Sequence, residues 1–97
     1  MPAYAVVTIE EITNPEGYQE YRNRVLPTIE KHGGRFLVRG GNSDLMEGDQ
    51  HPPRIVVIEF PDMGRAKGWY NSPEYQELAA LRQRHSRTGF FVLIEGA

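Results

Sequence analysis

The chain contains no cysteine. That one absence excludes disulfides, thiolate nucleophiles, zinc ribbons and iron–sulfur ligation together. It suits a reducing compartment, and a cytoplasmic location is expected. No apolar run approaches the roughly 20 residues that a membrane-spanning helix needs. Met1-Pro2-Ala3-Tyr4 leads straight into a strand pattern, with no sign of a signal peptide. Neither sign of charge dominates: 11 Lys+Arg against 13 Asp+Glu leave a net charge of −2. A general nucleic-acid binder would carry a basic excess, so neither nucleic acid nor membrane is expected as a partner. His32, His51 and His85 are the only histidines, and they form no HxH or HxxxH pair. No metal site is expected from them. The glycines show neither the GxGxxG nor the P-loop form, so no phosphate cradle and no cofactor are expected.

What the chain does contain is a set of well-punctuated elements. Its 97 residues argue for a single domain over 1–97, with a modest core. Ala3 to Ile12 is rich in β-branched and aromatic residues and reads as a strand. Asn14-Pro15 supplies an N-cap and a proline at the first helical position. Tyr18, Tyr21, Val25 and Ile29 recur at helical spacing, which predicts a helix from about Pro15 to His32, kinked or tightened at Pro27. Gly33 is placed as its C-terminal cap. A second strand, Arg35 to Arg39, sits between two glycine pairs. Asn42 to Gly48 forms a hairpin arm or a loop, and Asp49 to Pro53 a loop. Arg54 to Phe60 is the most strand-like run in the chain. Met63, Ala66, Trp69 and Tyr70 mark a short helix. Ser72-Pro73-Glu74 starts another, which runs to about Ser86 with Tyr75, Leu78, Ala79 and Arg82 on one face. Phe90 to Glu95 is the last strand. The β-α-β-β-α-β order, with the second α split, is the ferredoxin-like pattern of the α+β class: a four-stranded antiparallel sheet with helices on one face.

Both faces of that sheet read as apolar. In the third strand Ile55 and Val57 oppose Val56, Ile58 and Phe60, and in the last strand Phe90, Val92 and Ile94 oppose Phe91 and Leu93. Helices cover one face only. A bare apolar face marks an interaction surface, and its simplest cover is the same face of a second copy about a two-fold axis. A homodimer through the sheet face, forming a dimeric α/β barrel, is expected.

Several polar residues carry chemistry or structure. Glu59 follows four apolar residues in a central strand, on the face of Ile55 and Val57. A buried carboxylate there needs a partner, for which Arg39, Arg54 and Arg82 are the candidates. It serves either as an ion-pair member or as a proton-transfer group. His32 sits at a helix C-terminus, where it matches the dipole or acts as a base at a pocket rim. Arg39, Arg54 and Arg82 pair internally or hold a substrate anion. Tyr21, Trp69 and Tyr70 are core aromatics that also suit the wall of a small-molecule pocket. The run Arg82, Arg84, His85 and Arg87 fits a solvated helix end. RNA-recognition modules share the element order, but Arg54–Phe60 lacks their glycine- and aromatic-rich motif.

The segment GGRFLVRGG at Gly33–Gly41, the Glu47-Gly48 pair, Arg54, Glu59-Phe60-Pro61, Trp69-Tyr70, Ser72-Pro73-Glu74-Tyr75 and Arg82 together resemble the DUF1330 family of small bacterial proteins. The resemblance spans nearly the whole chain. It implies a ferredoxin-like protomer of the dimeric α/β-barrel superfamily and no settled reaction. That superfamily includes cofactor-free monooxygenases, muconolactone-type isomerases, stress-responsive barrel proteins and haem-using members. The expectation is a small-molecule isomerase, lyase or cofactor-independent oxygenase. The alternative is a non-catalytic ligand-binding or stress-related module.

Overall fold

A computed structural model describes residues 1–97. The elements run β1 (Ala3–Ile12), α1 (Pro15–Lys31), β2 (Arg35–Arg39), β3 (Arg54–Phe60), α2 (Met63–Tyr70), α3 (Pro73–His85) and β4 (Ser86–Glu95). The strands form one antiparallel sheet in the order β2-β3-β1-β4. This is the ferredoxin-like arrangement read from the element order.

Each helix starts where its cap chemistry dictates. The Asn14 side chain accepts from the Gly17 amide at 3.2 Å, Asp62 from Arg65 at 2.7 Å, and Ser72 from Tyr75 at 3.2 Å. These bonds satisfy amides that have no partner inside their helices. α1 continues through Pro27 to Lys31, four residues beyond it. It ends at His32, followed by Gly33 at φ +76°, a conformation that favours glycine. One boundary differs from the sequence reading. β4 begins at Ser86, four residues before Phe90, because Ser86 and Arg87 pair with Ile12 and Glu11 across a bulged stretch. Residues 42–53 contain no strand and are almost entirely exposed, so of the two readings of Asn42 to Gly48 the loop holds and the hairpin arm does not.

The core lies between the helices and one sheet face. Ala3, Ala5, Val7 and Ile9 of β1 and Val56, Ile58 and Phe60 of β3 are buried there. Trp69 is at its centre. Its ring lies 4.1 Å from Tyr75, 5.2 Å from Phe60 and 6.0 Å from Phe91, centroid to centroid. Its indole N–H donates to Thr28 Oγ1 at 3.1 Å, and that hydroxyl donates in turn to the Val25 carbonyl at 2.7 Å. One side chain thus ties α2 to α1, α3, β3 and β4. The opposite sheet face has no such cover: Phe90, Val92 and Ile94 are 49%, 43% and 55% exposed.

Replacing Trp69 with alanine should cost about 3–5 kcal/mol, the range for deleting a large buried aromatic. Thr28→Val should cost ~1 kcal/mol, through the lost hydrogen bonds. Urea unfolding measures both. A Trp69→Ala loss under ~1 kcal/mol would show that the ring is not the organising contact.

Candidate functional site

A narrow slot opens between α1 and the sheet. Its floor is Val7, Ile9, Val56 and Ile58; α1 contributes Tyr18, Tyr21, Arg22 and Val25. Phe36 and Arg39 come from β2, and Arg54 from the start of β3. Trp69, Arg82 and Phe91 complete it. The empty space is about 400 Å³ with its mouth included, but the centre of a water-sized sphere has only about 20 Å³ to move in. The walls are therefore close together, and a ligand would enter by displacing side chains.

Arg39 reaches this slot through an irregularity in β2. Arg35 pairs with Glu59, Phe36 with Ile58, Val38 with Val57 and Arg39 with Val56, so Leu37 is an extra residue without a partner. Strict alternation would put Arg39 on the face of Arg35. The bulge turns it to the helix side, which is how bulges commonly re-aim a side chain. There its guanidinium lies 4.2 Å from the Phe36 ring centroid and donates to the Arg22 carbonyl at 2.7 Å. Arg54 donates to the Tyr18 hydroxyl at 3.1 Å. Its guanidinium lies so close to Gly40 (φ +72°) that a Cβ there would collide with it.

The inner end of the slot holds a buried polar chain. Arg82, 3% exposed, donates to the Tyr75 hydroxyl, which lies 2.9 Å from the Tyr21 hydroxyl. Burial pushes the Tyr75 phenol well above its usual 10.0, with repulsion from Tyr21 adding to it. Burial also raises Tyr21, and the Tyr75 hydrogen bond and the Arg82 charge offset part of the rise. Both phenols are thus held neutral, and one donates to the other.

The sequence-selected residues divide into two groups. Tyr21, Arg39, Arg54, Trp69 and Arg82 line the slot. Glu59, His32 and Tyr70 do not. Glu59 lies on the opposite sheet face, where it accepts from Arg35 at 2.9 Å and from Tyr4 at 3.3 Å. Its partner is therefore Arg35 of the neighbouring strand and not Arg39, Arg54 or Arg82, and it joins strand to strand. His32 contacts the Thr28 carbonyl through Nδ1 at 3.0 Å, and Tyr70 packs its ring 5.0 Å from Phe91. Arg22, Tyr18 and Phe36 belong to the slot and were not selected as site residues. Arg22 had a readable signal, since it falls on the stripe of Tyr18, Tyr21, Val25 and Ile29, where a charge is out of place. The lining contains no aspartate, glutamate or histidine, and among His, Cys, Asp and Glu no three gather as a metal site.

The family model for a domain of unknown function, DUF1330, matches residues 2–97. The chain belongs to the DUF1330 family. No curated protein matches it significantly in sequence. Among solved structures it is similar to a Rhodopseudomonas palustris protein of unknown function, at 18% identity and a TM-score of 0.74, covering 99% of this chain and 82% of that one. It is also similar to a dimeric ferredoxin-like protein of unknown function from Jannaschia sp. CCS1, at 16% identity and 0.76, covering 99% and 100%. A third is SnoaB, a cofactor-independent oxygenase from Streptomyces nogalater, at 14% identity and 0.65, covering 99% and 93%. At these identities the likeness is one of fold, and this DUF1330 protein shares the ferredoxin-like fold with all three.

A phenol whose pKa is raised in the native state adds stability below its unfolded pKa near 10, and that stability is lost as pH rises through the native value. Unfolding free energy should therefore fall with pH above about 10, and the fall should be shallower in Tyr75→Phe. Equal slopes in wild type and variant would mean that Tyr75 ionises freely in the native protein.

Proposed function

We propose that each protomer holds one small organic molecule in the slot, with Tyr21 donating a hydrogen bond to one of its oxygens. The observation that carries this reading is the buried Arg82–Tyr75–Tyr21 polar chain at the inner end of the slot. Arginine only donates, so the Tyr75 oxygen accepts from Arg82; either hydroxyl can donate in the Tyr75–Tyr21 bond, and in this assignment Tyr75 is the donor. The Tyr21 proton then has no acceptor in the protein and is free for a ligand in the slot. Each donor in such a chain polarises the next. A polarised donor in a water-poor site stabilises negative charge developing on a carbonyl oxygen.

Stabilising an enolate-like oxygen is a demand common to isomerases, lyases and cofactor-independent oxygenases acting on small molecules. SnoaB shows that the fold can host a reaction of the last kind. In this assignment Arg82 and Arg39 provide positive charge, with Arg54 at the mouth, and Trp69 forms the apolar wall. Glu59 and His32, the proton-moving candidates, have no access to the slot within a protomer. The lack of any carboxylate or imidazole in the lining favours a second reading, in which the site binds its ligand without abstracting a proton from it.

The exposed sheet face supports a homodimer. Val6, Val57 and Val92 lie in register across β3, β1 and β4, flanked by the exposed Val38, Phe90 and Ile94. Covering them with a second copy would form a dimeric α/β barrel and leave the slots on the outer sides. Dimeric ferredoxin-like proteins from Jannaschia and Bacteroides fragilis share the protomer fold.

Two measurements test these readings. Light scattering should give twice the 11.1 kDa chain mass for wild type and the monomer mass for Val92→Glu. A monomeric wild type at micromolar concentration would sink the dimer. Trp69 is the only tryptophan and lines the slot, so its fluorescence reports occupancy directly. A metabolite library should yield ligands that change this emission and raise the melting temperature, since a ligand bound only by the native state stabilises it. These effects should weaken in Tyr21→Phe. A library without any such compound counts against the pocket.

A further inference from the structure

The distribution of charge pairs is opposite to what solvation favours. The basic side chains with an acidic partner within 4.0 Å are Arg24, Lys31, Arg35, Arg65 and Arg87, and all five are exposed. The arginines of the slot have none. Arg22, Arg39 and Arg54 are half-buried and Arg82 is fully buried, yet no carboxylate approaches any of them. Buried charge without a counter-charge is costly. Two of the four also retain an unused buried donor, since neither Arg22 Nε nor Arg82 Nε has a hydrogen-bond partner.

We propose that the missing counter-charge is the ligand's, and that the slot takes a flat, apolar or aromatic carboxylate. The inference rests on the reading of the slot as a ligand site and names the chemical class that fits it. The carboxylate belongs at the mouth, where Arg39 and Arg54 enter from β2 and β3 and Arg22 from α1. A planar guanidinium presents paired donors that match a carboxylate's two oxygens. The body lies between the aliphatic floor and the rings of Tyr18, Phe36 and Trp69. A second oxygen at the inner end of that body meets Tyr21 and the buried Arg82.

The alternative compensation is internal, and it is partial. Arg39 and Arg54 lie over the Phe36 and Tyr18 rings, at 4.2 and 5.6 Å. Such contacts are worth about 0.5–2 kcal/mol each and supply no net negative charge. Burial, followed by repulsion from Arg22 and Arg54, holds the Arg39 guanidinium below its usual range. At Arg82 burial is outweighed by the Tyr75 and Tyr21 oxygens, which hold the guanidinium above its usual range, so the unbalanced charge is sharpest at Arg39.

The test uses trans-cinnamate, its neutral isostere cinnamamide, and acetate as an anion without a ring. Binding is followed by Trp69 emission and by melting temperature. Cinnamate should bind at least about ten-fold more tightly than cinnamamide, and acetate should have no effect at equal concentration. Added NaCl should weaken cinnamate alone. Arg39→Gln and Arg54→Gln should each lower cinnamate affinity about ten-fold and leave cinnamamide unaffected. Without ligand, Arg39→Gln should melt at or above the wild-type temperature, because it relieves like-charge repulsion. A marked fall in that temperature would assign Arg39 a structural role and overturn the proposal. Equal binding of acid and amide would overturn the anion assignment and leave the slot a ligand site. No response to either compound would overturn the proposed class, and a blank metabolite library as well would remove the pocket reading itself.

Discussion

Trp69 is the contact on which the rest of the protomer depends. A split second helix is an awkward unit, since α2 has only eight residues, too few to be stable alone. It is held because one fully buried ring packs against Phe60, Tyr75 and Phe91 while its N–H reaches Thr28. The same ring forms part of the slot wall. Architecture and candidate site thus share one residue, and a change that loosens the aromatic layer also changes the space available to a ligand.

The sheet divides two electrostatic environments. On its outer face Arg35, Glu59 and Tyr4 form a satisfied polar cluster beside exposed valines and isoleucine. On its inner face four arginines border an apolar slot with no acid among them. The outer arrangement is complete within its polar groups and lacks only an apolar cover. The inner arrangement is well packed and lacks negative charge. These are different deficits: the first is exposed apolar surface, the second is positive charge without a counter-charge.

Much of the fold was legible because it is written in local signals. Asn14, Asp62 and Ser72 cap helices as their positions imply. The buried face of α3 is the Tyr75, Leu78, Ala79 and Arg82 stripe that helical spacing selects. The start of β4 was less readable, because Ser86 and Arg87 join it through pairing with β1 across a bulge, a non-local event. The site was legible by residue type and only partly by place. Tyr21, Trp69 and the three arginines meet in one slot, as side chains of that chemistry suggested. Glu59 lies elsewhere, since period-2 reasoning gives a strand residue's face but not which face the helices cover, and His32 lies at the end of α1 against the Thr28 carbonyl.

The sequence by itself determined the element order, the caps and the two-sided hydrophobicity of the sheet, because each follows from neighbours a few positions away. Only the tertiary structure decided which charges would meet. Alternation along Arg35–Arg39 puts both arginines on one face, and the unpaired Leu37 separates them. Arg35 turns outward to Glu59, and Arg39 turns inward beside Arg22 and Arg54. A bulge is set by the register of the partner strand, which no local pattern encodes. That single extra residue places Arg39 in the slot.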